Sequence, residues 1–554
     1  MRQRKPSTSA WRALSVALLI ATLSSSTVLG WQQAAATVTV KSAATLTEKE
    51  RAAAELVRAE TIRKVTTDLA APDMQGRGTA QPGADRAARY IADRFSKLGL
   101  KPLGDGGTYL QAIKFKSSLV LPESNVKAGD AVLKQGADFV LAPPYTFEQA
   151  DATGQMVFAG YGVNSQELKR NDLEGIDLKG KIVVVLAGRP QNADEAVWKK
   201  ANSPMALARN LIGQGVAGII MANIGSKEQP YKLIANYLSR RRVQLADAPT
   251  SPFKLPPILL MGDEGLEKLF AGTGTTYAQS LAKAQTGEFV SRDLNKQASI
   301  SIRIKNEEAA SSNVAGVLEG SDPALKEQAV VYTAHYDAYG IDAEGRIFPG
   351  AADNALGVAM ITSIAEAFTK SKERPRRSVI FLAVTGEEYG LLGAEYWVKH
   401  PTWPLDKIAA DLNFDGIGTE IYGPVKRVVG FGAEYSELGK TLEDVLQATG
   451  VTLTPDPMPE EQAFYRSDHY AFVKKGVPAL MLLGAPEGDT AVWMARARKW
   501  LDTDYHQTTD TVQPNWNWEG PRTSATIGLI IGMRVANADA MPAWLTGAPF
   551  KRGT

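Results

Sequence analysis

The sequence contains no cysteine, and this absence excludes several kinds of chemistry together. A chain without thiols forms no disulfide bond, has no cysteine nucleophile and offers no thiolate ligand to zinc. Histidine is scarce as well, with only 4 residues in 554. Any metal ion in this protein must therefore be held by His, Asp and Glu side chains.

An excess of charge of either sign is also missing. The chain has 62 Lys and Arg against 60 Asp and Glu, a formal net charge of +2. This balance favours neither a nucleic acid nor an acidic polymer as a partner. The length of 554 residues exceeds what one hydrophobic core usually serves, so we expect two or three domains.

The N-terminal residues have the pattern of a targeting segment. A basic stretch (MRQRKPSTSAWR) precedes a short apolar core (ALSVALLIATL) and small residues that continue through Ala36. We interpret residues 1–36 as a signal peptide, because the apolar core is too short for a comfortable membrane span. An uncleaved anchor is the alternative. The prediction is export to a periplasm or the extracellular space, without stable membrane association after signal removal.

Apolar strand-like runs alternate with helical patterns over most of the chain. This alternation predicts an α/β fold with a mixed, mostly parallel sheet flanked by helices. Between residues 121 and 295 the strands become shorter and histidine is absent. We predict a small α/β domain inserted there, so that 45–120 and 296–545 form one discontinuous catalytic domain.

Acidic residues and histidine follow the apolar runs between residues 330 and 418. The segments are VVYTAHYDAYG (330–340), PGAADNALGV (349–358), VIFLAVTGEEYGLLGAEYW (379–397) and ADLNFDGIG (410–418). Reactive groups gather outside the carboxyl ends of parallel strands, so these side chains should converge. The residues are His335, Asp337, Asp353, Glu387, Glu388 and Asp415. So many carboxylates in one cleft need cations, which predicts a two-metal hydrolytic site.

Some of these residues have simpler interpretations. Asp353 stands where a helix begins, and Asp is also a favoured N-cap residue. His335 and Asp337 could be an exposed turn pair, or Asp337 could fix the ring orientation of His335. The adjacent acids Glu387 and Glu388 face different directions, so one can bind a metal while the other acts as a general base.

The order of these motifs is more specific than any one of them. The succession TAHYDA, GAADNALG, TGEEYGLLGAEYW, NFDGIG, YRSDHYAF and DYHQTTD resembles the co-catalytic zinc aminopeptidases of the M28 peptidase family. The insertion between 121 and 295 resembles the protease-associated (PA) domain that many members carry there. The resemblance implies the zinc-exopeptidase fold, peptide substrates and two zinc ions.

The resemblance also implies a role for each site residue. Asp353 bridges the two zinc ions, His335 and Asp415 complete one site, and Glu388 and His506 complete the other. Glu387 is the general base and Asp337 orients His335. Tyr465 is a candidate donor to the oxyanion, or an aromatic residue packed under a loop. The resemblance does not make His469 a metal ligand. Position alone, four residues after His506, makes Asp510 a candidate supporting or capping acid, and His400 before Pro401 is expected to cap a helix end.

The expected activity is removal of N-terminal residues from peptides by water, with Glu387 moving the proton. A carboxypeptidase or dipeptidase, or a glutaminyl-cyclase-like acyl transferase, remains an alternative on the same fold. A catalytically inactive receptor-like ectodomain is the alternative outside enzymes. Such a protein should have lost ligands, whereas this chain keeps all five and the base. The sequence leaves the oligomeric state open.

Overall fold

The computed structural model describes residues 45–225, 230–248, 254–342, 344–416, 418–486 and 488–553. The predicted signal peptide, 1–36, lies outside these residues. The described chain divides into two compact units. The inserted unit comprises Lys116–Arg242 and Asp247–Glu307, and the main unit comprises 45–115, Val243–Ala246 and the residues from Glu308 onward. The assignment of the inserted unit as a PA domain stays a prediction.

Fourteen α-helices occur among the described residues. They are α1 (Glu48–Ala54), α2 (Ala59–Leu69), α3 (Pro82–Lys97), α4 (Glu195–Ala201), α5 (Pro204–Leu211), α6 (Tyr231–Leu238), α7 (Asp263–Phe270), α8 (Tyr277–Gln285), α9 (Leu356–Lys370), α10 (Leu392–Lys399), α11 (Leu438–Thr449), α12 (His469–Val473), α13 (Thr490–Thr503) and α14 (Glu519–Asn537).

The strands in the described part of the chain range from two-residue pairs to one very long strand. They are β1 (Lys101–Pro102), β2 (Leu110–Val120), β3 (Asn125–Ala128), β4 (Ala131–Lys134), β5 (Phe139–Leu141), β6 (Gln149–Phe158), β7 (Asn164–Ser165), β8 (Arg170–Asn171), β9 (Ile182–Leu186), β10 (Gly218–Ala222), β11 (Arg242–Leu245), β12 (Ile258–Met261), β13 (Arg292–Leu318), β14 (Ala329–His335), β15 (Gly340–Ile341), β16 (Ile347–Phe348), β17 (Ser378–Val384), β18 (Ile408–Asn413), β19 (Val425–Phe431), β20 (Thr452–Leu453) and β21 (Ala479–Pro486).

The main unit is built on a mixed, mostly parallel sheet, as the sequence predicts. Its neighbours run in the order β1, β13, β17, β14, β18, β21, β19 and β20. The four central strands, β17, β14, β18 and β21, are parallel. Every residue of these four strands is buried, which explains why they appear in the sequence as continuous apolar runs.

Helices cover the central strands of this sheet. Helix α9 is buried along almost its whole length and contacts α2, α14 and β14. The apolar helix α14 contacts β18, β19 and β21. Among the described residues, no helix has both the length and the apolar character that crossing a bilayer requires.

The inserted unit has a second sheet of the same general kind. Strands β6, β9, β10 and β12 are parallel neighbours, and the N-terminal part of β13 pairs antiparallel with β6 and β3. Strands β9, β10 and β12 are buried along their entire length, so this unit has its own hydrophobic core.

Candidate active site

Three neighbouring parallel strands of the main unit end at the same edge of the sheet. Strand β14 ends at His335, β17 ends shortly before Glu387, and β18 ends two residues before Asp415. Strand β14 lies between the other two. Because the carboxyl ends of parallel strands meet at one edge, these three side chains converge although they lie far apart in sequence.

The two adjacent glutamates leave β17 through a left-handed glycine. Gly386 has a φ of 75°, a conformation that favours glycine, and the chain turns away from the sheet there. Glu388 Oε2 lies 3.0 Å from His506 Nε2, whereas Glu387 Oε2 lies 3.8 Å from His335 Nε2. The adjacent acids therefore point in different directions, each toward a different histidine.

Asp353 lies in an irregular turn that precedes α9. Its backbone is non-helical, and the helix itself begins at Leu356. The side chain of Asn354 does the capping instead, because its Oδ1 accepts the N–H of Gly357 at 2.9 Å. The simpler interpretation of Asp353 as the helix cap is therefore not what the fold shows, and its carboxylate faces the site.

Asp510 holds the backbone of this turn. Its Oδ1 accepts the N–H of Ala352 at 2.9 Å, and its Oδ2 accepts the N–H of Asp353 at 3.1 Å. Burial raises the pKa of Asp510 to about 7, although these backbone donors oppose the rise. Asp510 thus supports the orientation of Asp353 from outside the site.

Five of the predicted residues form two groups that share Asp353. One group is His335, Asp353 and Asp415, and the other is Asp353, Glu388 and His506, with the ligand atoms of each group within 4.8 Å of one another. Asp353 Oδ1 lies 3.2 Å from His335 Nε2, and Asp353 Oδ2 lies 3.2 Å from His506 Nε2. The two oxygens of one carboxylate therefore serve different groups, which is the arrangement that a bridging ligand requires.

The hydrogen bond of His335 Nδ1 leaves its Nε2 available to a cation or a proton in the first group. Its Nδ1 lies 3.1 Å from the backbone carbonyl of Asp337, and a carbonyl only accepts, so Nδ1 carries the hydrogen. In the neutral ring, the lone pair of Nε2 then faces Asp353 and Asp415 at 3.2 and 3.3 Å. A lone pair and two carboxylates repel one another unless positive charge lies between them.

The carboxylate of Asp337 has a different role from the one expected. It lies 3.7 Å from His335 Nδ1, too far for a hydrogen bond, so the backbone carbonyl of Asp337 orients the ring instead. The carboxylate accepts from the hydroxyl of Thr79 at 2.8 Å and from the N–H of Glu387 at 3.3 Å. Asp337 thus connects His335 to the turn that carries Glu387.

The electrostatics of the site favour added positive charge. Burial raises the pKa of Glu387 and of Glu388. Burial would lower the pKa of His335 and of His506, yet the surrounding carboxylates raise the first well above its usual value and the second to about 9. Burial opposes ionisation of Asp353 too, but the two histidines hold its pKa below the usual range. Divalent cations bound here would supply the positive charge that these carboxylates favour.

A buried arginine connects the end of β14 to the turn of Asp353. Arg77 Nε donates to the carbonyl of Tyr336 at 2.5 Å, and its two Nη atoms donate to the carbonyls of Pro349 and Gly350 at 2.6 Å each. Arg77 was not predicted as part of the site, because an arginine in a glycine-containing loop carries no periodic signal.

A chain of hydrogen bonds supports Asp415 from the opposite side. Ser467 donates to Asp415 Oδ2 at 2.5 Å, and Asn413 Nδ2 donates to Ser467 Oγ at 2.6 Å. His469 Nδ1 lies 3.4 Å from Asn413 Nδ2, and burial lowers the pKa of His469 to about 4. His469 is near the site but belongs to neither group, whereas His400 lies at the end of α10, as expected.

A cavity of about 110 Å³ opens onto the site, and Asp353, Glu387 and Asp415 form part of its lining. Tyr505 also lines it, with its ring stacked on that of His506 at a centroid distance of 3.5 Å. Tyr465 is outside this lining, and its ring packs against Phe464 and Tyr470. The position of Tyr505 directly before His506 was the one sequence signal that could have identified it.

Comparisons with known proteins relate the part of the chain that contains this site to a peptidase family. Residues 313–529 match the model of peptidase family M28, and this segment contains all five grouped residues and Glu387. The similarity to peptidase family M28 is therefore a property of this segment. It is 28% identical over 264 residues to probable leucine aminopeptidase 2 of Aspergillus oryzae, a match that covers 45% of this chain and 49% of that protein. The chain thus spans about half the length of that relative.

Two solved structures are similar to this chain over most of its length. An aminopeptidase from Aneurinibacillus sp. strain AM-1 has a TM-score of 0.58 and 18% identity, over 89% of this chain and 97% of that one. A zinc aminopeptidase from Bacillus subtilis has a TM-score of 0.51 and 18% identity, over 86% and 94%. At this identity the similarity concerns the fold.

Proposed function

We propose that this protein is a zinc-dependent aminopeptidase of peptidase family M28 that hydrolyses N-terminal residues from peptides. The observation that carries the proposal is Asp353, whose two oxygens face His335 and His506 at 3.2 Å each. Such a shared carboxylate is suited to two adjacent cations. The match to family M28, and the names of the similar aminopeptidases, support the choice of reaction and metal.

The chain offers three ligands to each of two zinc ions. His335, Asp353 and Asp415 would hold one ion, and Asp353, Glu388 and His506 would hold the other. When bound, zinc polarises a carbonyl group and lowers the pKa of a nearby water molecule. The donor set fits zinc, although imidazole and carboxylate groups also accept other divalent metals.

Glu387 is the proposed general base. It lines the cavity beside Asp353 and Asp415 but belongs to neither ligand group, so its carboxylate stays available for a proton. Burial, opposed in part by His335, raises the pKa of Glu387 well above its usual value, which favours proton transfer at neutral pH. Glu387 would take a proton from the attacking water and deliver it to the leaving amine.

Tyr505 is a better placed donor to the substrate carbonyl than Tyr465. The side chain of Tyr505 lines the cavity and stacks on His506, whereas Tyr465 is 47% exposed and outside the lining. The hydroxyl of Tyr505 lies 3.5 Å from Arg466 Nη2, which also faces the cavity. We therefore assign the oxyanion role to Tyr505.

The test begins with metal reconstitution. We expect close to two zinc ions per chain by mass spectrometry of the dialysed protein, and release of amines from aminoacyl-coumarin substrates. Less than half an equivalent of tightly bound zinc would contradict the two-metal site.

A substrate panel separates the alternatives on the same fold. An aminopeptidase should prefer a free N-terminus, a carboxypeptidase or dipeptidase should require a free C-terminus, and a glutaminyl cyclase should act on N-terminal glutamine. An inactive receptor-like protein should hydrolyse none of them even with zinc bound. The intact ligand set argues against this last alternative.

Export and the PA identity of the inserted unit are part of the proposal as well. The basic and apolar pattern of residues 1–36 supports export. Protein sequencing of the mature N-terminus after expression with the native leader would test it, since an unprocessed Met1 would contradict cleavage.

A further inference from the structure

The cavity has an apolar wall that comes from two paired strands and their neighbours. Met481 and Leu483 are two residues apart on β21, so they face the same side of the sheet, and Met481 pairs with Phe431 on β19. Leu501 of α13 and Met458 complete this wall. An aliphatic stem of a substrate side chain would pack against it.

One carboxylate of the cavity lacks a cationic partner. Asp456 lines the cavity, and its Oδ1 accepts the N–H of Met458 at 2.8 Å. Among the described residues, no Lys, Arg or His forms an ion pair with Asp456. Burial raises the pKa of Asp456, the Met458 N–H opposes this rise, and the carboxylates of Glu460 and Glu461 add to it.

The other charges near this end of the cavity are already paired. Glu461 Oε2 lies 2.9 Å from Arg466 Nη1, and both residues line the cavity. Glu460 lies outside the lining and forms an ion pair with Arg498 at 2.7 Å. Apart from the residues of the two ligand groups and Glu387, the lining therefore has one net negative charge, on Asp456.

We infer that the cavity selects a substrate whose N-terminal residue has a long, basic side chain, with Asp456 as the specificity-determining residue. Lysine and arginine combine an aliphatic stem with a cationic head, which matches an apolar wall and an unpaired carboxylate. This inference rests on the proposed aminopeptidase function and specifies its substrate class.

The decisive comparison is between lysine and norleucine at the N-terminus, because the two stems are similar and only lysine has the ammonium group. For the zinc-loaded protein we expect kcat/KM for lysyl-aminomethylcoumarin to exceed that for the norleucyl substrate by about tenfold, as for a charged hydrogen bond. In Asp456→Asn this ratio should fall to about one, and a circular dichroism spectrum equal to that of the unmodified protein would show that the variant folds.

Glu460→Gln is the matched control, since it removes an acid of the same loop that does not line the cavity. Its lysine-to-norleucine ratio should equal that of the unmodified protein. A ratio that Asp456→Asn leaves unchanged would overturn the inference. A preference for a glutamyl over a glutaminyl substrate would also overturn the inference, because it would indicate that Arg466 binds an acidic side chain instead.

Failure of the proposed function would be distinguishable. If the zinc-loaded protein hydrolyses no aminoacyl substrate, that function is wrong, and calorimetry with lysinamide and norleucinamide then decides the cavity inference. Tighter binding of lysinamide that depends on Asp456 would support it, and equal binding would overturn it.

Discussion

The two units of this protein have similar sheets but different residues at the ends of their strands. In the main unit, His335, Glu387 and Asp415 lie at or just beyond the carboxyl ends of parallel strands. In the inserted unit, glycines stand just beyond the carboxyl ends of parallel strands: Gly160 lies two residues after β6, and Gly188 lies two residues after β9. Both potential metal-binding groups among the described residues lie in the main unit. The chemistry therefore depends on the residues at the strand ends, and a parallel sheet alone predicts none of it.

The inserted unit uses its strand-end loops for internal bonding. Asp172 accepts the N–H groups of Tyr161 and Val163 at 3.2 Å each, and it forms a buried ion pair with Arg170 at 2.8 Å. Trp198 Nε1 donates to the carbonyl of Gly188 at 2.9 Å. Here one acid is neutralised by one arginine, whereas the main unit concentrates four carboxylates around His335 and His506.

The largest expected effect comes from Glu387→Gln. The amide cannot take a proton, so kcat should fall by about 10³-fold while zinc content stays near two per chain. Stopped-flow or long-time assays together with metal analysis would measure both. Glu443→Gln, on an exposed position of α11, is the control and should change neither. Near-normal turnover in Glu387→Gln would show that Glu387 is not the general base.

The second effect concerns the inserted unit. Asp172→Asn leaves the buried Arg170 unpaired, so the free energy of unfolding of this unit should fall by about 3 kcal/mol. Thermal unfolding would measure the loss of stability, and native-state hydrogen exchange would show whether it lies in the inserted unit. Glu174→Gln, an exposed acid in the same loop, should have little effect.

The same Asp172→Asn protein should keep its zinc affinity unchanged, because Asp172 belongs to neither ligand group. A fall in zinc affinity comparable to that of a ligand variant would contradict the separation of roles between the two units.

The smallest effect is expected from Tyr339→Phe. The hydroxyl of Tyr339 lies 3.3 Å from His506 Nδ1, so its loss should weaken zinc binding by about 10- to 100-fold without abolishing it. Competition with a chromogenic chelator would measure the affinity. Tyr465→Phe is the matched control, because Tyr465 is outside the cavity lining. Equal affinities of the two variants would contradict the role of Tyr339.

Much of the site could be predicted because its residues follow recognisable strands. The apolar runs that end at His335 and before Glu387 and Asp415 indicated strands buried on both faces, and parallel strands bring their ends together. His506 was harder, since it follows no strand, and only the resemblance to the M28 family pointed to it. The roles of all these residues stay proposals until metal and rate are measured.

Supporting contacts could not be predicted in the same way. Arg77, Thr79 and Ser467 reach the site from loops whose residue types are common on any surface. Asp337 illustrates the difficulty, since the sequence placed it beside His335 but could not show that its backbone carbonyl, and not its carboxylate, orients the ring.

The sequence by itself determined the fold class, the order of the motifs and the absence of thiolate ligands, because periodicity and composition are properties of neighbouring residues. Only the tertiary structure decided that the two oxygens of Asp353 face different histidines and that Asp456 shares a cavity with an apolar wall. These are relations between atoms that lie far apart along the chain, and packing of the sheet and its loops sets their distances.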